Sequence, residues 1–243
     1  MFIGVLELFK IGIGPSSSHT MGPMFAAHRF RESLQSYCSA AGDPAGCTVR
    51  CTLKGSLAFT GQGHNTDRAV ALGLHGYLPN ALVGKDVDAL VRDLWRRSVI
   101  ELQAGCETAF FPTDDIVFDR GEPLPQHPNG MIFELVDNAG AALLSMTLFS
   151  IGGGFLSTPQ EIGGLVAPLR MASGAGCPYG FDSADAMLTM ARDSGLSIAQ
   201  MKRVNERQQI GEAELDRGLD AIWDAMHRCV EQGLSGSGQL PGG

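Results

Sequence analysis

Apolar residues recur at helical spacing from Met21 onward: Met21, Phe25, Phe30, Leu34 and Tyr37 share one face, which predicts a helix over 21–38. Apolar and polar residues then alternate over 48–57, the pattern of a half-buried strand. A glycine turn at Thr60-Gly61-Gln62-Gly63-His64 precedes a second helix over 66–77, capped by Asn65 or Thr66. Val87, Leu90, Val91, Leu94, Val99 and Leu102 line one face of a third helix, with Asp86 near its start. Pro123, Pro125 and Pro128 make 121–130 a loop. Strands over 131–136 and 143–149 are joined across Asp137-Asn138-Ala139-Gly140, a hairpin signal.

Past Gly152-Gly153-Gly154 the texture changes. Residues 158–182 are rich in glycine and proline and read as a linker. Serine-capped helices are expected over 183–192 and 197–208. Leu215, Leu219, Ile222, Met226 and Val230 form one clean stripe over 214–231. The expected organisation is an α+β domain with an antiparallel sheet over 1–157, the linker 158–182, and helices of an all-α domain over 183–243. No strand is expected after residue 158, and there is no internal repeat.

One stretch interrupts the periodicity. Gly12-Ile13-Gly14-Pro15-Ser16-Ser17-Ser18-His19-Thr20-Met21-Gly22-Pro23 has no apolar face to bury and predicts a loop aimed at a helix start. Orphan N–H groups and the positive end of the helix dipole then point at the same spot, the geometry that collects a carboxylate or phosphate. It is no nucleotide loop. The dinucleotide fingerprint needs glycine where Ser17 stands, and no Gly-Lys-Ser/Thr follows.

A net charge of −8 argues against nucleic acid or an anionic membrane as partner. No apolar run approaches the ~18–20 residues a membrane span needs, and the first residues lack the pattern of a signal peptide, so a cytoplasmic address is expected. The six cysteines then read as reduced thiols. Cys47 and Cys51 on a straight strand would sit roughly 13 Å apart at their Cα atoms, too far to share a metal. The others are scattered with no C-x-x-C, so no metal ligands are assigned.

The run Leu8-Phe9-Lys10-Ile11-Gly12-Ile13-Gly14-Pro15-Ser16-Ser17-Ser18-His19-Thr20 resembles the opening of bacterial iron–sulfur L-serine dehydratases of the single-chain type. The resemblance continues at Thr60-Gly61-Gln62-Gly63-His64-Asn65-Thr66-Asp67-Arg68-Ala69, at Ser150-Ile151-Gly152-Gly153-Gly154-Phe155 and at Leu240-Pro241-Gly242-Gly243. It implies a small α+β domain joined to a larger helical one, with this chain ending before the cluster-binding cysteines. It further implies L-serine as substrate, pyruvate and ammonium as products, and no pyridoxal phosphate. The resemblance places a 4Fe–4S cluster on residues beyond this chain, whether on a missing C-terminal part or on a separate chain, and implies a homo-oligomer. On that footing the isolated chain is inactive.

Elimination of water from serine needs a base for a weakly acidic α-proton. His64, on a glycine turn ahead of a helix, is the candidate base, since neutral imidazole suits proton abstraction near pH 7. His19 is the second candidate, as a donor to the substrate carboxylate or an orienting partner. Ser16, Ser17, Ser18 and Thr20 would hold that carboxylate with backbone N–H groups. Thr66 and Asp67 carry less weight, His28 reads as structural or exposed on a helix with apolar and basic neighbours, and His75, His127 and His227 have no supporting neighbours. Two other classes compete: a regulatory module that binds serine without turning it over, and a Ser/His hydrolase. The latter lacks the Gly-x-Ser-x-Gly elbow.

Overall fold

The computed structural model describes residues 4–42, 44, 46–103, 105–164 and 177–238. Residues 1–3, two positions of the 39–46 loop, residues 165–176 of the expected linker and the Leu240-Pro241-Gly242-Gly243 motif lie outside the described residues. The chain divides into two units, residues 11–164 forming one, and residues 4–10 with 177–238 belonging to the other. In chain order the helices are α1 (Val5–Leu8), α2 (Gly22–Ala41), α3 (Ser56–Thr60), α4 (Thr66–Leu74), α5 (Val87–Leu94), α6 (Pro112–Asp115), α7 (Pro159–Gly164), α8 (Ala184–Ser194), α9 (Ile198–Ile210) and α10 (Glu212–Ser235). The strands are β1 (Thr48–Gly55), β2 (Val99–Gln103), β3 (Cys106–Ala109), β4 (Ile116–Asp119), β5 (Asn129–Val136), β6 (Ala142–Gly152) and β7 (Phe155–Ser157).

The first unit is α+β, as its patterning predicts, but its sheet is mixed rather than antiparallel. The order is β2-β3-β1-β5-β6-β7, with β4 also on β1. One edge of β1 pairs antiparallel with β5 from Thr48↔Val136 to Gly55↔Asn129. Its other edge takes two short strands in parallel, β3 at Thr48↔Ala109 and β4 from Cys51↔Ile116 to Lys54↔Asp119. Four of the seven strands, β2, β3, β4 and β7, are not among the predicted strands. Val99 and Leu102 are not the end of a helix: α5 stops at Leu94, and both lie in β2, where burial alternates. Two apolar residues three apart satisfy a helical stripe as well as they mark a strand end, so spacing could not separate the two.

Helices α2 and α4 pack on one another, and α2 also covers β5 and β6. Phe30 stacks on Phe133 with ring centroids 5.4 Å apart, and both are fully buried with Leu34, Val49, Leu53 and Leu148. Burying each such side chain stabilises the fold by about 1.5–3 kcal/mol, which fixes α2, and hence whatever precedes it, on the sheet. Cys38 at the end of α2 and Cys106 at the start of β3 are joined as a disulfide, with Cα atoms 6.6 Å apart. This corrects the expectation that all six thiols are free. The partners are 68 residues apart in sequence, and only the packing of α2 beside the β2–β3 hairpin brings them together.

His75, following α4, is pushed down to about 4 by burial, with Arg97 and Arg31 adding to the effect. The unfolded chain protonates near 6.5 and the folded one near 4, so the unfolded state binds the extra proton between these values. Stability therefore falls as pH drops from 6.5 towards 4, by up to about 3 kcal/mol from this group. Urea denaturation at pH 7 and pH 4.5 should show that loss, and His75→Gln should flatten it.

In the second unit, Ser183 Oγ accepts from Ala186 N and Ser197 Oγ from Gln200 N, the two expected serine caps. Among the described residues no strand follows Ser157. The expected linker is partly helical, since α7 opens at Pro159 within it. Glu206, buried on α9, accepts from the N–H of Val5 at 2.7 Å and so pins α1 to α9. Arg203 and Arg207 of α9 pair with Glu212 of α10. Of the α10 stripe only Leu215 is buried, while Met226 and Val230 are exposed, as is Trp223 beside them.

Candidate active site

The polar stretch before α2 is not an open loop. Ser17–Met21 wind into one π-helical turn that runs straight into α2. Met21 N reaches back five residues to Ser16 O at 3.2 Å, and Ser16 Oγ accepts from His19 N at 3.2 Å. A serine cap at Ser16 supplies what apolar periodicity does not, a partner for an amide that the turn leaves unpaired. Such wide turns are found at functional sites, where they re-aim a side chain. Here the turn carries His19. The amides of Ser17 and Ser18, as first-turn groups, have no partner within the turn.

Across from it, the chain leaves β1 through Gly55 into α3 and then a 3₁₀ turn, Gln62–His64. Gly61 closes this connection tightly, since a Cβ there would lie 2.2 Å from the carbonyl of Leu57. Asn65 follows in the left-handed region (φ 55) and is the only described non-glycine residue with a positive φ. It turns the chain into α4 without capping the helix through its side chain.

These two connections bring His19 and His64 face to face. Their ring centroids are 4.8 Å apart, tilted by 41°. His64 Nδ1 lies 2.9 Å from the carbonyl oxygen of Thr60. A carbonyl can only accept, so Nδ1 carries the hydrogen in the neutral ring and the lone pair is on Nε2. That is the tautomer a base requires. His19 is held between two hydroxyls, with Nδ1 2.9 Å from Ser18 Oγ and Nε2 2.9 Å from Ser56 Oγ. Burial, and next the charge of a protonated His64, hold His19 below the usual histidine range. Two imidazoles this close resist carrying charge together.

The hydroxyls do not share one role. Ser18 Oγ contacts His19 Nδ1 and lies 3.4 Å from Ser16 Oγ. Ser17 points to solvent. Thr20 is buried, and its Oγ1 donates to the carbonyl oxygen of His64 at 2.8 Å. A cavity of about 380 Å³ shares Thr20 and Asn65, the neighbours of the two histidines, and is lined also by Gly14, Arg68 and Lys85. Arg68 there pairs with Asp88 at 2.5 Å.

Ser56 was not among the residues that the sequence singles out. The alternating pattern runs on through it to Leu57, whereas in the structure the strand stops at Gly55 and Ser56 opens α3. Burial pushes the Asp67 carboxyl up, while its own and the following amide oppose the shift. The remaining histidines have other neighbours: His75 lies against Phe110, His127 accepts from Asn129 N, and His227 stacks on Trp223. Gly152-Gly153-Gly154 forms the turn between β6 and β7, all three residues at positive φ.

The cysteines do not fit an iron–sulfur cluster. Cys38 and Cys106 are bonded to each other, and burial pushes the Cys51 thiol far up, against the thiolate that iron needs. Among the described residues no three His, Cys, Asp or Glu side chains are grouped to hold a metal. No helix among them is long and apolar enough to cross a membrane.

The family described as "Serine dehydratase beta chain" matches residues 4–161. The chain is 40% identical over 243 residues to an L-serine dehydratase of Streptomyces coelicolor, covering 100% of this chain and 52% of that protein. It is 36% identical over 240 residues to L-serine dehydratase TdcG of Escherichia coli K12, covering 99% and 51%. It is 36% identical over 239 residues to an L-serine dehydratase of Helicobacter pylori, covering 98% and 50%. The chain thus spans about half the length of these curated relatives.

Proposed function

Because the chain belongs to the serine dehydratase beta chain family, we propose that it supplies the carboxylate grip and the base of an L-serine ammonia-lyase. One observation carries the reading: the serine-rich turn and the glycine turn, 45 residues apart, place His19 and His64 ring against ring at 4.8 Å. The first-turn amides of Ser17 and Ser18, with the hydroxyls of Ser16, Ser17 and Ser18, receive the substrate carboxylate. Charge-assisted bonds of this kind are about twice as strong as neutral ones and fix orientation. The Cα–H bond is then presented to His64 Nε2.

His64 takes the α-proton, and the electron pair of that bond becomes the Cα=Cβ double bond as the Cβ–O bond breaks. The departing hydroxide takes up a proton, in net terms the one His64 removed, so that water leaves and the imidazole is neutral again. The aminoacrylate that remains tautomerises to an imine, and water converts it to pyruvate and ammonium. The Nδ1–H bond to Thr60 O stabilises the imidazolium that forms, as a carbonyl partner does for a proton-accepting histidine. His19 stays neutral beside it and orients the substrate through its hydroxyl neighbours. A 4Fe–4S cluster, expected of the complete enzyme, is left to the part of the relatives that this chain does not span.

Ser17→Ala tests the grip. L-serine affinity should fall by about 10-fold or more, the scale of a lost hydrogen bond to a charged group. The melting temperature should hardly move, because Ser17 is exposed. The readouts are the KM for L-serine, with the chain assembled with the part of its relatives it lacks, and thermal unfolding of the chain itself. An unchanged KM would count against the carboxylate grip.

A further inference from the structure

Two threonines at the site do something that neither a substrate hydroxyl nor a helix cap does. Thr20 follows His19 directly, and its Oγ1 donates to the carbonyl oxygen of His64 at 2.8 Å. Thr66 lies two residues after His64, and its Oγ1 donates to the carbonyl oxygen of His19 at 2.5 Å. Each histidine-bearing segment thus gives the other one donor and one acceptor. Both threonines are buried, at 3% and 0% exposure, so water does not compete for either bond. We infer that Thr20 and Thr66 form a reciprocal hydroxyl latch that fixes the spacing of the His19 and His64 imidazoles, making both threonines positioning residues.

The inference rests on the proposed pairing of these histidines in catalysis and extends it to what holds the pair. A hydroxyl has one hydrogen to give. Thr20 gives its hydrogen to His64 O, so the substrate carboxylate takes its donors from the serines and the turn amides instead. Neither segment can recede without leaving both buried threonine hydroxyls unpaired, each at the cost of an unsatisfied polar group. The two bonds are therefore one cooperative device. The methyl of Thr20 has a separate role: it packs against Gly14, where a Cβ would lie 2.4 Å from it.

The test contrasts shape with hydrogen bonding in this chain, without any assay of activity. Thr66→Val and Thr20→Val keep the shape and lose the donor, whereas Thr66→Ser and Thr20→Ser keep the donor. The latch predicts that folded valine variants lose the ring-to-ring NMR cross-peak of His19 and His64. It also predicts that the titration of His19 moves up towards the ordinary range as the rings part. The serine variants should retain both signals, and the double valine variant should add little to either single one, since each already opens both bonds. A folded valine variant with the pair intact overturns the latch, as do serine and valine variants that behave alike. Should a valine variant not fold, the unaltered chain decides: both threonine hydroxyl protons must exchange slowly, and fast exchange of either overturns the proposal. L-serine affinity is measured separately, so failure of the carboxylate grip is a distinct result.

Discussion

His64→Ala should lower kcat by about 10²–10⁴-fold, the usual scale for losing a general base, with KM moved far less. The assay is pyruvate formation by this chain assembled with the part of its L-serine dehydratase relatives that it does not span. The size of the effect follows from geometry. His64 Nδ1 is committed to Thr60 O, so Nε2 is the one basic nitrogen this ring can offer. His19 cannot substitute readily, because both its nitrogens engage hydroxyls and burial disfavours its charged form. Retention of near-full kcat would remove His64 from the role of base and leave the pair a binding feature.

Gly22→Ala is expected to destabilise the chain by about 3 kcal/mol, the upper range for overpacking a well-filled core. The backbone at Gly22 is ordinary helix (φ −56), so no conformational strain is involved. The problem is space. A Cβ there would lie 2.0 Å from Ser150 Oγ and 2.8 Å from Ser150 Cβ, with Ser150 completely buried on β6. Relief requires moving the N-terminus of α2 off the sheet, and the π-turn that carries His19 moves with it. Ser150 Oγ also has no hydrogen-bond partner among the described residues, so Ser150→Ala alone should be close to neutral or slightly stabilising. Combining the two should recover part of the loss, and Gly22→Ala with Ser150→Gly should recover most of it. Chemical denaturation of the unaltered chain, Gly22→Ala, Ser150→Ala and their double variant forms a cycle whose coupling energy measures the contact. Additive losses would mean that Gly22 is needed for some other reason.

Much of this fold is legible because long periodic segments leave little choice. The run beginning at Met21 could only be an amphipathic helix, and Asp137 to Gly140 between two apolar runs could only be a hairpin. What escaped was short or non-local. Four residues each in β3 and β4 are too few for a period to show, and their parallel pairing with β1 depends on connections that pattern does not encode. The disulfide between Cys38 and Cys106 escaped for the same reason, its partners meeting only through packing.

The site divides the same way. His19 and His64 stand out because the motifs that carry them resemble those of the L-serine dehydratases; an imidazole on a glycine turn would otherwise read as a surface or capping residue. The π-turn does not stand out, because its origin is one side-chain cap at Ser16 rather than a face of apolar residues. Ser56 and Thr66 are ordinary residues at element boundaries, and their meaning lies in what they touch across dozens of positions. Hydrogen bonds of that range are products of the fold and carry no local signature.

The most direct measurement is an NMR titration of the isotope-labelled chain with L-serine, following backbone amides and histidine ring signals together. Saturable shifts confined to the Ser16–Thr20 amides and the His19 and His64 rings are the predicted outcome, abolished by Ser17→Ala and Ser18→Ala in combination. Saturable binding that leaves both the turn and the imidazole pair undisturbed, or no saturable shift at any serine concentration, would contradict the account.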